Sequence, residues 1–222
     1  MEKTQKLTFK EWCEHIWYYN KWMIIFGSAI ILFISIGIYQ LTQKHEPDVS
    51  ILFVGKATVS VNGTYEIKEK LEGMIEDYNK DERKTIAYME LTALTSETSG
   101  IIIDADANTE VMKRFQAEIR TGESVIYIVE KYYYDILLEA GVLAKLSDVL
   151  YEKDIPENAI DEYGVYLKDL DIYSTPEFNQ FPDTVIICIR HSPDKDSISY
   201  GRSVEVYEGN KLCFNKIITY SE

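Results

Sequence analysis

Hydrophobic and polar positions divide this chain into two unlike parts. From Trp22 to Gln43 no Asp, Glu, Lys or Arg occurs, and WMIIFGSAIILFISIGIYQL is apolar all round. About 20 such residues at roughly 1.5 Å each match a hydrocarbon core of about 30 Å, so the run predicts a transmembrane helix. Beyond it the apolar residues come in short, spaced groups. Asp48-Val-Ser-Ile-Leu-Phe-Val-Gly55 is nearly all apolar, as a strand buried on both faces must be. Tyr65 to Asn79 predicts a helix with Ile67, Leu71, Met74, Ile75 and Tyr78 on one face. Thr85–Leu94 reads as a second strand. A helix capped at Asn108 or Thr109 then runs to Arg120 and stops at Thr121-Gly122. Ser124–Val129 is a third strand, Tyr132–Ala140 a third helix ended by Gly141, and Leu143–Leu150 a further turn of helix.

Strand–helix–strand–helix–strand–helix implies right-handed crossovers. The expected fold is therefore α/β: one N-terminal transmembrane helix, then one compact domain with a mostly parallel sheet and helices on both faces. After residue 155 the pattern shortens. Val165–Leu170 is partly extended, Thr184–Arg190 is a strand, and Ser192–Asp196 is a loop. Glu208–Tyr220 reads as a helix, with a strand as the alternative because β-branched residues gather near the end.

The flanks of the apolar run set its expected role. Residues before it are too many, and its core too long, for a cleaved secretory signal, and Ile38–Thr42 lacks small residues at cleavage spacing. An uncleaved signal anchor is expected. Lys3, Lys6, Lys10 and Lys21 precede it, whereas Lys44 and Lys56 are the nearby basic residues after it. The positive-inside rule then puts the N-terminus in the cytoplasm and the C-terminal domain outside the cell membrane. Phe9, Trp12, Trp17, Tyr18, Tyr19 and Trp22 form an aromatic belt, and Phe9, Trp12 and Ile16 fall at the spacing of a short amphipathic helix along the inner interface. The expected organisation is residues 1–21 as a cytoplasmic aromatic-rich tail, 22–42 as the membrane span, 43–47 as a linker and 48–222 as an extracytoplasmic domain.

Charge narrows the partners. The chain carries 23 basic and 37 acidic residues; with four Lys and three Glu in residues 1–42, the net −14 becomes −15 for the remainder. Such a balance excludes nucleic acid and docking on anionic lipid, and favours a cationic partner. Chemistry is sparse. His15, His45 and His191 are scattered and Cys13, Cys188 and Cys213 form no CxxC, so no metal or cofactor is expected. Spacing leaves pairing of Cys188 with Cys213 open; both sit in apolar runs, where a free thiol packs as a small hydrophobe. Asp104-Ala-Asp106-Ala-Asn108 opens like a calcium loop but has Thr109 where glycine should turn and Phe115 where a bidentate Glu is needed. No nucleophile elbow, phosphate loop or paired-His signature occurs, so a non-enzymatic role is expected.

A resemblance adds to this reading. Ala117-Glu118-Ile119-Arg120-Thr121-Gly122, then Val125–Val129, then Ala140-Gly141-Val142-Leu143-Ala144-Lys145-Leu146 resemble the first lobe of extracellular solute-binding proteins of the periplasmic binding protein type 2 class. The stretch concerned is about residues 48–190. The WYYNKW block at 17–22 with its anchor is similar to single-pass membrane proteins of Clostridia-like Gram-positive bacteria. The solute-binding class is two-lobed and clamps ligand between its lobes, whereas the residues after the span suffice for one lobe. That favours an interaction module docking on a partner membrane or surface protein over ordinary solute delivery. Capture or sensing of a small solute or peptide is the alternative. In an open parallel sheet ligands sit beyond the carboxyl ends of the strands. The candidate ligand-binding residues are therefore Gly55, Lys56 and Thr58 after the first strand, and Lys131, Tyr132 and Tyr133 after the third, within Glu130–Tyr133. The lysines would supply cations and the tyrosines stacking faces.

Overall fold

A computed structural model describes residues 8–42, 47–56, 58–93, 105–193 and 204–221. Two compact units divide between His45 and Glu46.

The first unit is one unbroken helix, α1 (Phe9–Thr42). Nothing between Phe9 and Phe26 breaks it: the stretch holds no Pro and no Gly. The amphipathic segment expected to lie apart along the interface instead continues straight into the apolar run. The helix contains one stretch, Ile16–Tyr39, long and apolar enough to cross a membrane. Ser28 and Ser35 donate to the carbonyls of Ile25 and Ile31, so neither hydroxyl is left unsatisfied in an apolar setting.

The second unit is built on a five-stranded sheet in the order β2-β1-β3-β5-β4. Its elements are β1 (Val49–Gly55), α2 (Val61–Met74), β2 (Ile86–Thr92), α3 (Ala105–Thr121), β3 (Ile126–Glu130), α4 (Lys131–Glu139), the short α5 (Leu146–Val149), β4 (Gly164–Tyr166), β5 (Val185–Ile189) and α6 (Val204–Ile218). Strand alternation sends side chains to two cores. Val49, Ile51, Phe53, Ile126, Ile128, Val185, Ile187 and Ile189 pack with Ile67 and Leu71 of α2 and with Cys213, Phe214 and Ile217 of α6. Leu52, Val54, Tyr127, Val129, Ile186 and Cys188 pack with Phe115 of α3 and with Tyr133, Tyr134 and Leu137 of α4. Helices thus cover both faces. Cys188 and Cys213 lie in opposite cores, both buried as free thiols, and burial pushes both thiols up, Cys213 to about 12.

The sheet is mixed, which corrects the mostly parallel expectation. β1 runs parallel to β2 and β3, but β5 is antiparallel to both β3 and β4. The reason lies in the connection. A parallel neighbour needs a crossover that returns the chain to the starting edge, usually a helix. After β4 the chain instead makes 3₁₀ turns at Leu167–Asp169, Asp171–Ser174 and Phe178–Gln180, and re-enters the sheet from the edge at which β4 ended. Phe178 and Phe181 fill the space below, with Phe181 edge-on to Phe53 at 5.2 Å.

Other boundaries move by a turn. α2 begins at Val61, four residues before the expected start, because Ser60 caps it by accepting from the Gly63 N–H at 3.0 Å. α3 begins at Ala105, so residues 105–108 follow helical backbone and not a calcium loop. Asp104 lies outside the described residues, as do Lys3, Lys6, Lys44 and His45. Gly141 has φ +65 and lets the chain leave α4 in the left-handed region; Leu143 and Leu146 then pack back, buried. The C-terminal segment is helix, not strand.

Candidate functional site

The carboxyl ends of β1, β2 and β3 lie at one edge of the sheet, since the three strands are parallel. Two helices leave that edge: α4 directly after β3, and α2 after the loop that follows β1. The chain passes from β1 to β2 on one side and on to β3 on the other, so β1 and β3 flank the point where the strand order reverses.

At that point one contact joins the two loops. The Lys56 N–H donates to Glu130 Oε1 at 2.8 Å. Glu130 is the residue before α4, yet its carboxylate does not cap that helix; it reaches sideways to β1. Gly55 permits the approach. A Cβ there would stand 2.9 Å from Phe53 Cζ and 3.5 Å from Glu130 Oε1, so any side chain would press on the aromatic ring beneath it.

A second carboxylate sits one strand away. Glu90 of β2 accepts from the Val59 N–H at 3.2 Å and from the Thr92 hydroxyl at 3.1 Å. The Thr58 and Thr92 hydroxyls are 3.5 Å apart. Burial pushes the Glu90 carboxyl up, against the two hydrogen bonds that pull it down. These links hold the β1–α2 loop to the end of β2. Gln180 donates to Glu66 of α2 at 2.8 Å and ties the last 3₁₀ turn to the first turns of that helix.

The residues singled out from the sequence fall into four fates. Gly55 is buried, at the floor between Glu130 and Phe53. Lys56 and Thr58 are exposed on the rim, and Tyr132, in the first turn of α4, is 60 % exposed. Lys131 turns along its own helix, paired with Asp135 and 5.4 Å from the centre of the Tyr134 ring. Tyr133 faces the core, edge-on to Phe115 at 5.2 Å, and does not face the rim. Consecutive residues of a helix point about 100° apart, so Tyr133 turns to the core while its ring still meets that of the exposed Tyr132 edge-on at 5.2 Å.

Sequence reasoning passed over Glu90 and, although it marked the stretch Glu130–Tyr133, gave Glu130 no role. Each is an acidic residue near the end of an otherwise apolar strand, and that position was the available signal. Apolar residues share the edge. Val61 and Tyr65, in the first turns of α2, are 74 % and 70 % exposed. Among the described residues no group of three or more His, Cys, Asp or Glu side chains converges to hold a metal ion. No protein family, curated protein or solved structure matches this chain.

Proposed function

We propose that this protein is a membrane-tethered, non-enzymatic interaction module that docks on a partner membrane or surface protein through the carboxyl edge of its sheet. The apolar part of α1 is the anchor, with the N-terminus cytoplasmic and the α/β domain extracellular; the lysine bias around the span supports that orientation.

One observation carries the docking reading. At the carboxyl edge the polar groups are largely spent on one another, while Val61, Tyr65 and Tyr132 stand in solvent. A small-solute site needs convergent polar groups aimed at a ligand. A protein-docking surface needs exposed aromatic and apolar side chains with a polar surround, and tyrosine is enriched there. Lys56, Thr58 and Glu66 provide that surround. The single-lobe resemblance to solute-binding proteins is consistent with a scaffold reused for docking.

The alternative, capture of a small solute or peptide, draws on Glu90, a half-buried carboxyl beside the Thr58 and Thr92 hydroxyls at the same edge.

The test is photo-crosslinking in intact cells, with a benzophenone amino acid replacing Tyr65, Tyr132 or, as a control outside the strand-end loops, the 72 %-exposed Tyr151 that follows α5. Docking through the carboxyl edge gives discrete protein adducts from positions 65 and 132 and none from 151. Adducts from 151 alone, or from none of the three, contradict it. A saturable rise in melting temperature with one class of solute would establish capture instead.

A further inference from the structure

The Lys56 N–H is the first backbone donor beyond the carboxyl end of β1, at the crossover point where open α/β sheets receive ligands. Such a donor, beside a helix start and two lysines, is suited to an anion. Here it is already occupied by the Glu130 carboxylate at 2.8 Å. The occupation has a structural cost that shows it is built in. Glu130 precedes α4 but leaves that helix without a side-chain cap. Gly55 leaves no side chain between the two loops, and a Cβ there would crowd both Phe53 and Glu130. The cation nearest in sequence, Lys131, is paired with Asp135 and so is turned away from the carboxylate. Glu90 adds a second carboxylate on the neighbouring strand, its oxygen taken by Val59 and Thr92.

We infer that Glu130 is a selectivity residue: its carboxylate stands in for an anionic ligand on the Lys56 N–H, closing that strand-end donor to phosphates and carboxylates and leaving the edge to neutral or cationic groups. A carboxylate held on a backbone N–H forms a charge-assisted bond, roughly twice as strong as a neutral one. An incoming anion must displace it and also approach its charge. The inference rests on the carboxyl edge being the recognition edge. Its test needs no partner, so it fails separately from the docking reading.

The test uses the full chain in phosphatidylcholine nanodiscs, with inorganic phosphate against chloride at matched ionic strength. Melting is followed by the near-ultraviolet circular dichroism of tyrosine, and exchange of the Lys56 amide by hydrogen-exchange mass spectrometry. The wild type, and a Glu152→Ala control that removes one exposed charge from the 3₁₀ turn Glu152–Asp154, should show no saturable response to phosphate. Glu130→Ala should bind phosphate about tenfold or more tightly than the wild type, the weight of one charge-assisted hydrogen bond. Its Lys56 amide should exchange faster without phosphate and slow when phosphate is added. Glu130→Gln keeps an accepting oxygen without the charge and should fall between. The inference is overturned by a saturable phosphate response in the wild type equal to that of Glu130→Ala, by an equal gain in Glu152→Ala, or by no gain in a folded Glu130→Ala. If Glu130→Ala does not fold, Glu130→Gln decides, and no gain over the wild type overturns it.

Discussion

The two edges of the sheet use polar residues in opposite ways. At the amino edge they are buried and multiply bonded. Asp48, 1 % exposed, accepts from the N–H groups of Tyr78, Asn79 and Thr85 and so shapes the turn that leads into β2. Asn210 of α6, fully buried, accepts from Ser50 N and donates to the carbonyls of Asp48 and Val206. Arg190, after β5, donates to the Tyr127 hydroxyl at 3.0 Å and to the Ile119 carbonyl at 2.9 Å. Glu118 receives the Ser124 N–H at the entry to β3. At the carboxyl edge Lys56, Thr58 and Tyr132 face solvent, and Glu90 and Glu130 make fewer and more accessible bonds. An unmade bond costs most where water cannot replace it. The amino edge therefore carries stability, and the carboxyl edge is free to vary and to bind.

Substitutions should separate the edges by size of effect. Asp48→Ala orphans three backbone N–H groups and should cost about 3 kcal/mol or more, read as a large fall in the tyrosine melting transition. A loss under about 1 kcal/mol would break the distinction. Asn210→Ala removes the tie from α6 to β1 and should cost about 2 kcal/mol, measured by urea titration with an unchanged m-value. Ser60→Ala, at the start of α2, should cost about 1 kcal/mol, because a cap partly reached by water is easier to replace. Tyr132→Ala should change stability by no more than about 0.5 kcal/mol and yet remove crosslinked partner. Chain location helps these measurements: Trp12, Trp17 and Trp22 are the only tryptophans and all lie in α1, so tryptophan fluorescence reports the helix, while a tyrosine melting transition is dominated by the 14 of 17 tyrosines that follow α1.

The pH response of the carboxyl edge has a definite sign. Burial raises the Glu90 carboxyl, so the folded state holds that proton more tightly than the unfolded chain. Its contribution is fully present below the ordinary carboxylate range and is lost as pH rises through the raised value. Glu90→Gln should therefore melt above the wild type at neutral pH, with the gap closing as pH falls below about 4 and both states become protonated. A gap that widens on acidification would contradict the burial account.

How much of this was legible follows from where the information sits. The strands at 49–55, 126–130 and 185–189 were readable because strands buried on both faces leave unbroken apolar runs. The direction of β5 was not, because it depends on the connection from 167 to 184, whose 3₁₀ turns have no strong period. The first turn of α2 was hidden by Asn62-Gly63, which reads as a turn, and by the outward-facing Val61 and Tyr65. At the candidate site the loops were readable from strand order, but the partners were not. Glu130 to Lys56 spans 74 residues, and one sequence does not disclose which of its many acidic groups crosses that distance.

The claim that the carboxyl edge docks a partner is tested most directly by lysine acetylation footprinting in native membranes against purified full chain in nanodiscs. Lys56 lies on the proposed docking rim and Lys153 in the 3₁₀ turn Glu152–Asp154, outside the strand-end loops, and both are exposed. The account predicts that Lys56 loses reactivity in native membranes while Lys153 keeps it. Equal reactivity of Lys56 in both preparations, or protection of Lys153 instead, would contradict it.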